Sequence, residues 1–219
     1  VDADRSYPLG GINPRPPLFT WSLAIGAMIL TSLLQIPVGD AAWWSMLALP
    51  AIFGAFIIFP IASMAKDHFG KGAGVIAAWL IAFMPSHVTH STWGLADHDS
   101  FVLLFLSAGF MYYLRAVKHG GDERLSKRIS ARPISLFNAV VTVFEKRPRA
   151  VANAIAAGVC IGLVALGWKG FVYGPAIIFL TYSIQVALNM FKRRDSTIIS
   201  TLNLVMIGVI FLMTIPFYA

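Results

Sequence analysis

PSHVTHSTWGLADHDS, residues 85–100, is the stretch on which the fold turns, because it gathers His87, His90, Asp97, His98 and Asp99 between two long apolar runs. VIAAWLIAFM (75–84) precedes it and FVLLFLSAGFMYYL (101–114) follows. Ionisable side chains in that setting belong where two membrane helices meet water, and a polar cluster at such a joint is a candidate site.

The rest of the chain agrees with a membrane setting. Of its 219 residues 58% are hydrophobic and 12% charged, a composition of a polytopic membrane protein rather than a soluble domain. Six apolar segments are long enough to span: 42–65, 72–90, 101–117, 150–166, 171–191 and 197–219. A seventh, 17–36, is long enough to cross but also fits a helix lying in the interface. The expected fold is therefore an all-α, multi-pass helical bundle. Val1 is not a methionine, and no basic start followed by an apolar run opens the chain, so it reads as an internal piece of something longer without a signal peptide. Cys160, the only cysteine, lies in an apolar run and reads as a small buried hydrophobe.

The net charge of +7 does not point to nucleic acid, because the cations sit in loops between apolar spans. Nine of the 17 lysines and arginines lie in 115–149, two are Lys66 and Lys71, and three are Lys192, Arg193 and Arg194. If the six spans alternate, all of these fall on one face. That face should be cytoplasmic, which puts Asp97, Asp99 and the turn at Lys169 outside. The loop 115–149 also holds SLFNAVVTVF (135–144), either an amphipathic helix on the inner leaflet or a partly packed connector.

Several residues invite chemistry. Carboxylates two apart, as in Asp97-His98-Asp99, share a face only in extended chain, so both grip one ion only if that segment is non-helical. Hard oxygen ligands of this kind suit magnesium or manganese. The plainer alternative makes Asp99 or Ser100 the N-cap of the next helix. His87 and His90, three apart, share a helical face, and with Asp97 they form a competing zinc set; His87 alone reads as a hydrogen-bonded interfacial tip. Trp168 and Tyr173 fit an aromatic belt and Trp43 and Trp44 an interfacial anchor. Lys169 is less easily dismissed, being the one cation in an outside turn between the six spans, and could meet a phosphate.

Taken in order, DRSYPLGG (4–11), RPPLFTW (15–21), HSTWGLADHDS (90–100) and GWKGFVYG (167–174) make the chain resemble the catalytic subunit of the oligosaccharyltransferases, nearest the archaeal AglB group. Asp4, Arg5, Tyr7, Pro8, Leu9 and Gly10 match that family's D-R-x-W-Y-P-L-G pattern without its tryptophan. Ser91, Gly94, Asp97 and Asp99 match R-S-x-x-G-x-x-D-x-D, with His90 in the place of the arginine. Trp168, Gly170 and Tyr173 match a W-G-G-Y type turn, with Lys169 replacing a glycine.

The resemblance implies a C-type glycosyltransferase fold and en bloc transfer of a glycan from a polyprenyl (dolichyl) phosphate or diphosphate to the asparagine of an N-x-S/T sequon. It implies Mn2+ or Mg2+ held by Asp97 and Asp99, with His90 beside them, and Arg5, Trp168 and Lys169 as substrate-binding residues. Its partners would be the lipid-linked donor, the acceptor polypeptide and membrane lipids, with no nucleic acid. The site would lie on the extracellular face of the cell membrane. It also implies that 1–41 form an outside loop with a membrane-associated helix and 42–219 six crossings. The family's first-loop aspartate, for which Asp2 and Asp4 are wrongly placed, its later glutamate and its soluble W-W-D domain are absent from this chain, which alone is expected to bind rather than catalyse. Another C-type transferase and a divalent-cation transporter lined by Asp97 and His90 are the competing readings.

Overall fold

In the computed structural model, residues 16–121 and 133–218 are described, side chains excepted at 133–139 and 218. The described chain is helical. Its elements are α1 (Leu18–Leu34), α2 (Val38–Phe56), α3 (Ile58–Phe69), α4 (Lys71–Phe83), α5 (Pro85–His90), α6 (Asp99–Gly120), α7 (Pro133–Lys146), α8 (Pro148–Gly167), α9 (Tyr173–Phe191) and α10 (Thr197–Tyr218), with a 3-10 turn at Lys169–Val172. Among the described residues, five helices are long and apolar enough to cross a membrane: Val38–Phe69, in which α2 and α3 run on, then α6, α8, Lys169–Phe191 and Thr197–Phe217. The protein is an all-α, multi-pass membrane protein. The break between α2 and α3 at Ile57 follows from Pro60, which has no N–H to offer the carbonyl of Phe56.

The expected span 72–90 differs from a single helix. It is two pieces, α4 of 13 residues and α5 of six, separated at Met84, which is extended (φ −65°, ψ 117°). Pro85 explains this, because its ring disfavours the helical region for the residue before it and opens a new helix as first residue. The two pieces still run from one end of the bundle to the other. At the C-terminal end of α6, Arg115 Nε donates to Asp67 Oδ2 at 2.6 Å, and Lys118 Nζ donates to the Asp67 carbonyl at 2.5 Å. At its N-terminal end, His90 Nδ1 lies 2.8 Å from Asp99 Oδ2. Between Asp67 and His90 the chain therefore rises by about the length of α6, whose 22 residues are about 33 Å long, with α4 packed on α3.

The helix α8 is the central post. Ala150, Val151 and Ala154 pack with Ala116, Val143, Ile198 and Leu202 near one end, and Ala157 and Ile161 with Tyr113, Ile178, Met206 and Ile210 further along. Small residues let neighbouring backbones approach and so strengthen the van der Waals packing that helps hold helices together in lipid; a Cβ at Gly158 would stand 2.7 Å from the Met206 carbonyl oxygen. Val143 ties α7 into the same core, so the run 135–144 is a packed connector at this residue. The 17-residue α1 lies against α2, with Ser45 Oγ donating to the Leu23 carbonyl at 2.7 Å.

This packing sorts the charges. Lys66, Lys71, Arg115, Lys118, Arg147, Arg149 and the run Lys192 to Arg194 all sit at helix ends around the Ala116 cluster or the Asp67 pair. Lys169 lies at the opposite end, with Asp97.

Candidate active site

The loop from α5 to α6 is fastened before it presents any carboxylate. Ser91 Oγ and Thr92 Oγ1 donate back to the carbonyls of His87 and Val88 at 2.7 and 2.6 Å. Gly94 turns with φ +95°, a backbone state that glycine adopts without penalty, and its N–H reaches the Leu47 carbonyl on α2 at 3.3 Å. Trp93 packs on Trp44 with centroids 6.2 Å apart. The chain stays irregular through Asp97 and becomes helical at Asp99, the non-helical course that convergence of the two carboxylates requires.

Each carboxylate is held by one histidine. His98 brings two donors to Asp97 Oδ1, its backbone N–H at 2.7 Å and its ring Nδ1 at 2.7 Å. His90 Nδ1 meets Asp99 Oδ2 at 2.8 Å, and His98 Nε2 is 3.9 Å from Asp99 Oδ1. The side chains of His90, Asp97 and Asp99 are about half exposed, so water or a ligand reaches them. The N-cap alternative is corrected: His98 occupies the cap position without a side-chain cap bond, and Ser100 is buried with its Oγ unpartnered. Asp99 instead sits in the first turn, where the helix dipole favours an anion.

A cavity of about 460 Å³ opens beside this loop. Its walls are Phe19, Thr20 and Leu23 of α1, Met46 of α2, Asp97 and His98, and Trp168 and Lys169 from the turn after α8. The Trp168 ring lies 6.4 Å from His98 and stacks on Tyr173 at 6.1 Å. Residues far apart in sequence thus bring two carboxylates, two imidazoles, one ammonium and one indole to one end of the bundle. Ligand atoms of His90, Asp97 and Asp99 all lie within 4.8 Å of one another. Two hard carboxylate donors with one imidazole, open on one side, fit an octahedral divalent ion that keeps positions for water or substrate oxygen.

His87 is not part of this group. It is buried, 8% exposed, against α2 and hydrogen-bonds the backbone at Gly54, so the alternative zinc set of His87, His90 and Asp97 gives way to His90, Asp97 and Asp99. Arg5 lies outside the described residues. The sequence places His98 inside D-x-D without assigning it a role, and nothing in it points to the α1 wall formed by Phe19 and Thr20.

The molecule is a polytopic membrane protein whose ligand-sized cavity, largely apolar but carrying Asp97, His98 and Lys169, opens at the end of the bundle opposite its other described basic residues. The chain belongs to the STT3 family, since the profile described as "Oligosaccharyl transferase STT3, N-terminal" matches residues 1–219. It is also similar, at 26% identity over 214 residues and 96% of its own length, to the dolichyl-phosphooligosaccharide-protein glycotransferase 3 of Archaeoglobus fulgidus. The chain spans 22% of the length of that relative.

Proposed function

We propose that this chain forms the donor-binding and metal-binding end of an oligosaccharyltransferase, which moves a glycan from a dolichyl phosphate or diphosphate to the asparagine of an N-x-S/T sequon. The observation that carries this reading is that, in a chain of this family, Asp97 belongs both to the group it forms with His90 and Asp99 and to a cavity wall shared with Trp168 and Lys169. The acidic end would face outward across the cell membrane, because the described cations other than Lys169 gather at the opposite end, as the positive-inside bias requires.

Asp97 and Asp99 would hold Mn2+ or Mg2+, with His90 Nδ1 at 2.8 Å fixing Asp99. When bound, the ion neutralises charge that builds on the departing phosphate. Lys169, in the same cavity wall as Asp97, grips the carrier phosphate and orients the anomeric carbon, and the Trp168 face offers an apolar surface to the sugar ring. The bond from the anomeric carbon to phosphate oxygen breaks, its electron pair leaving with the phosphate. The acceptor amide nitrogen bonds to that carbon, and its proton passes to water in the open site. With Asp97 and Asp99 as its ligands, such an ion would keep room for water, donor oxygens or other parts of the protein.

The test is glycan transfer from a lipid-linked donor to a sequon peptide by the full-length protein in proteoliposomes. Asp97→Ala and Asp99→Ala are each expected to abolish transfer while the protein still inserts. Undiminished transfer by either variant removes the proposal.

A further inference from the structure

The residue between the two carboxylates lies against both of them and against two aromatic rings. His98 reaches Asp97 through two donors, at 2.7 Å each, both on Oδ1. Its ring meets the edge of Phe19 on α1 with centroids 6.3 Å apart, and lies tilted against Trp168 at 6.4 Å on its other contact. Phe19 also rests edge-on against Phe101, which is 3% exposed. The imidazole therefore lies between Phe19 of α1 and Trp168 of the turn after α8 while its Nδ1 stands 2.7 Å from one oxygen of Asp97.

We propose that His98 is a positioning residue with two separable duties: its Nδ1–H orients Asp97 so that the second carboxylate oxygen is presented to the divalent ion, and its ring braces the cavity wall that receives the carrier phosphate. This rests on the function proposed above and adds to it a residue that touches neither the sugar nor the ion. Hydrogen-bond partners of metal ligands commonly govern affinity by about 10–100-fold, and the same group here is shared with the wall of the substrate cavity. Neither duty follows from spacing, since Phe19 lies 79 positions away from His98 in the chain.

Two substitutions divide the duties. His98→Phe keeps a ring between Phe19 and Trp168 and deletes the donor. His98→Asn keeps a planar N–H in the place of Nδ1–H and deletes the ring. In the full-length protein in detergent, Mn2+ binding is read from the electron paramagnetic resonance of the free ion, and binding of dolichyl phosphate is read separately in EDTA. His98→Phe is expected to weaken Mn2+ about tenfold or more and to leave dolichyl phosphate affinity within about threefold. His98→Asn is expected to do the reverse.

A merely structural role moves both readouts together, so parallel losses in both variants overturn the inference, as does unchanged Mn2+ affinity in His98→Phe. Should His98→Phe fail to accumulate, His98→Leu replaces it with the same expectation for Mn2+. If the unmodified protein binds neither Mn2+ nor dolichyl phosphate, the proposed function falls and takes this inference with it. If it binds both but the variants do not cross over, only the role of His98 falls.

Discussion

Gly167→Ala is expected to loosen the site from beneath, by an amount the packing allows to be worked out. A Cβ at Gly167 would stand 2.5 Å from Phe101 Cε1 and 3.1 Å from Cδ1. The ring cannot turn aside freely, because Phe19, Phe53 and Phe105 surround it with centroids 5.9, 5.5 and 4.8 Å away. Forcing a methyl into such a core costs about 1–3 kcal/mol, against which alanine in place of helical glycine returns roughly 0.5–1 kcal/mol. A net loss of up to about 2.5 kcal/mol is expected, read as a lower thermal midpoint. Gly208→Ala is the matched control, since nothing lies within 4 Å of a Cβ there, and it should raise stability by about 0.5–1 kcal/mol. The assay is thermal denaturation of the full-length protein in one detergent, followed by donor KM. Phe101 carries Phe19, so KM should rise in Gly167→Ala and not in Gly208→Ala. A Gly167→Ala protein that melts at or above the Gly208→Ala protein refutes the packing argument.

Other perturbations separate binding, chemistry and sidedness. Asp99→Asn should weaken Mn2+ binding and transfer by about 100-fold or more with little change in thermal midpoint, checked by the same paramagnetic resonance titration. Lys169→Gln should raise donor KM by about tenfold with kcat nearly unchanged, the pattern of a lost ground-state contact. Arg115→Ala leaves Asp67 without its 2.6 Å partner and should cost about 1 kcal/mol of stability, the site being partly exposed, with no effect on donor KM. In a cysteine-free background, Lys169→Cys should react with an impermeant maleimide added outside intact cells, and Arg193→Cys only after permeabilisation.

The membrane architecture was legible in the sequence because burial in lipid demands long apolar runs, and α6, α8, α9 and α10 lie close to where those runs do. The break in the second expected span was also written there, at Pro85, yet a window of hydropathy passes over a single proline that a backbone argument does not. The D-x-D pair was readable for a stereochemical reason: only an irregular segment lets Asp97 and Asp99 converge, and the chain is irregular up to Asp97. His98 was not readable in the same way. Its role depends on Phe19 and Trp168 arriving from α1 and from the turn after α8, and no local pattern encodes contacts over such separations. His87 and His90 make the same point from the other side, since equal spacing and similar surroundings gave one a buried bond to Gly54 and the other a carboxylate partner.

The most direct test of the central claim is anomalous diffraction at the manganese edge from crystals of the full-length, donor-loaded protein grown with Mn2+. The account expects a peak within about 2.5 Å of an oxygen of both Asp97 and Asp99, lost in Asp99→Asn. A well-ordered donor phosphate beside Lys169 with no anomalous peak between those two carboxylates would contradict it.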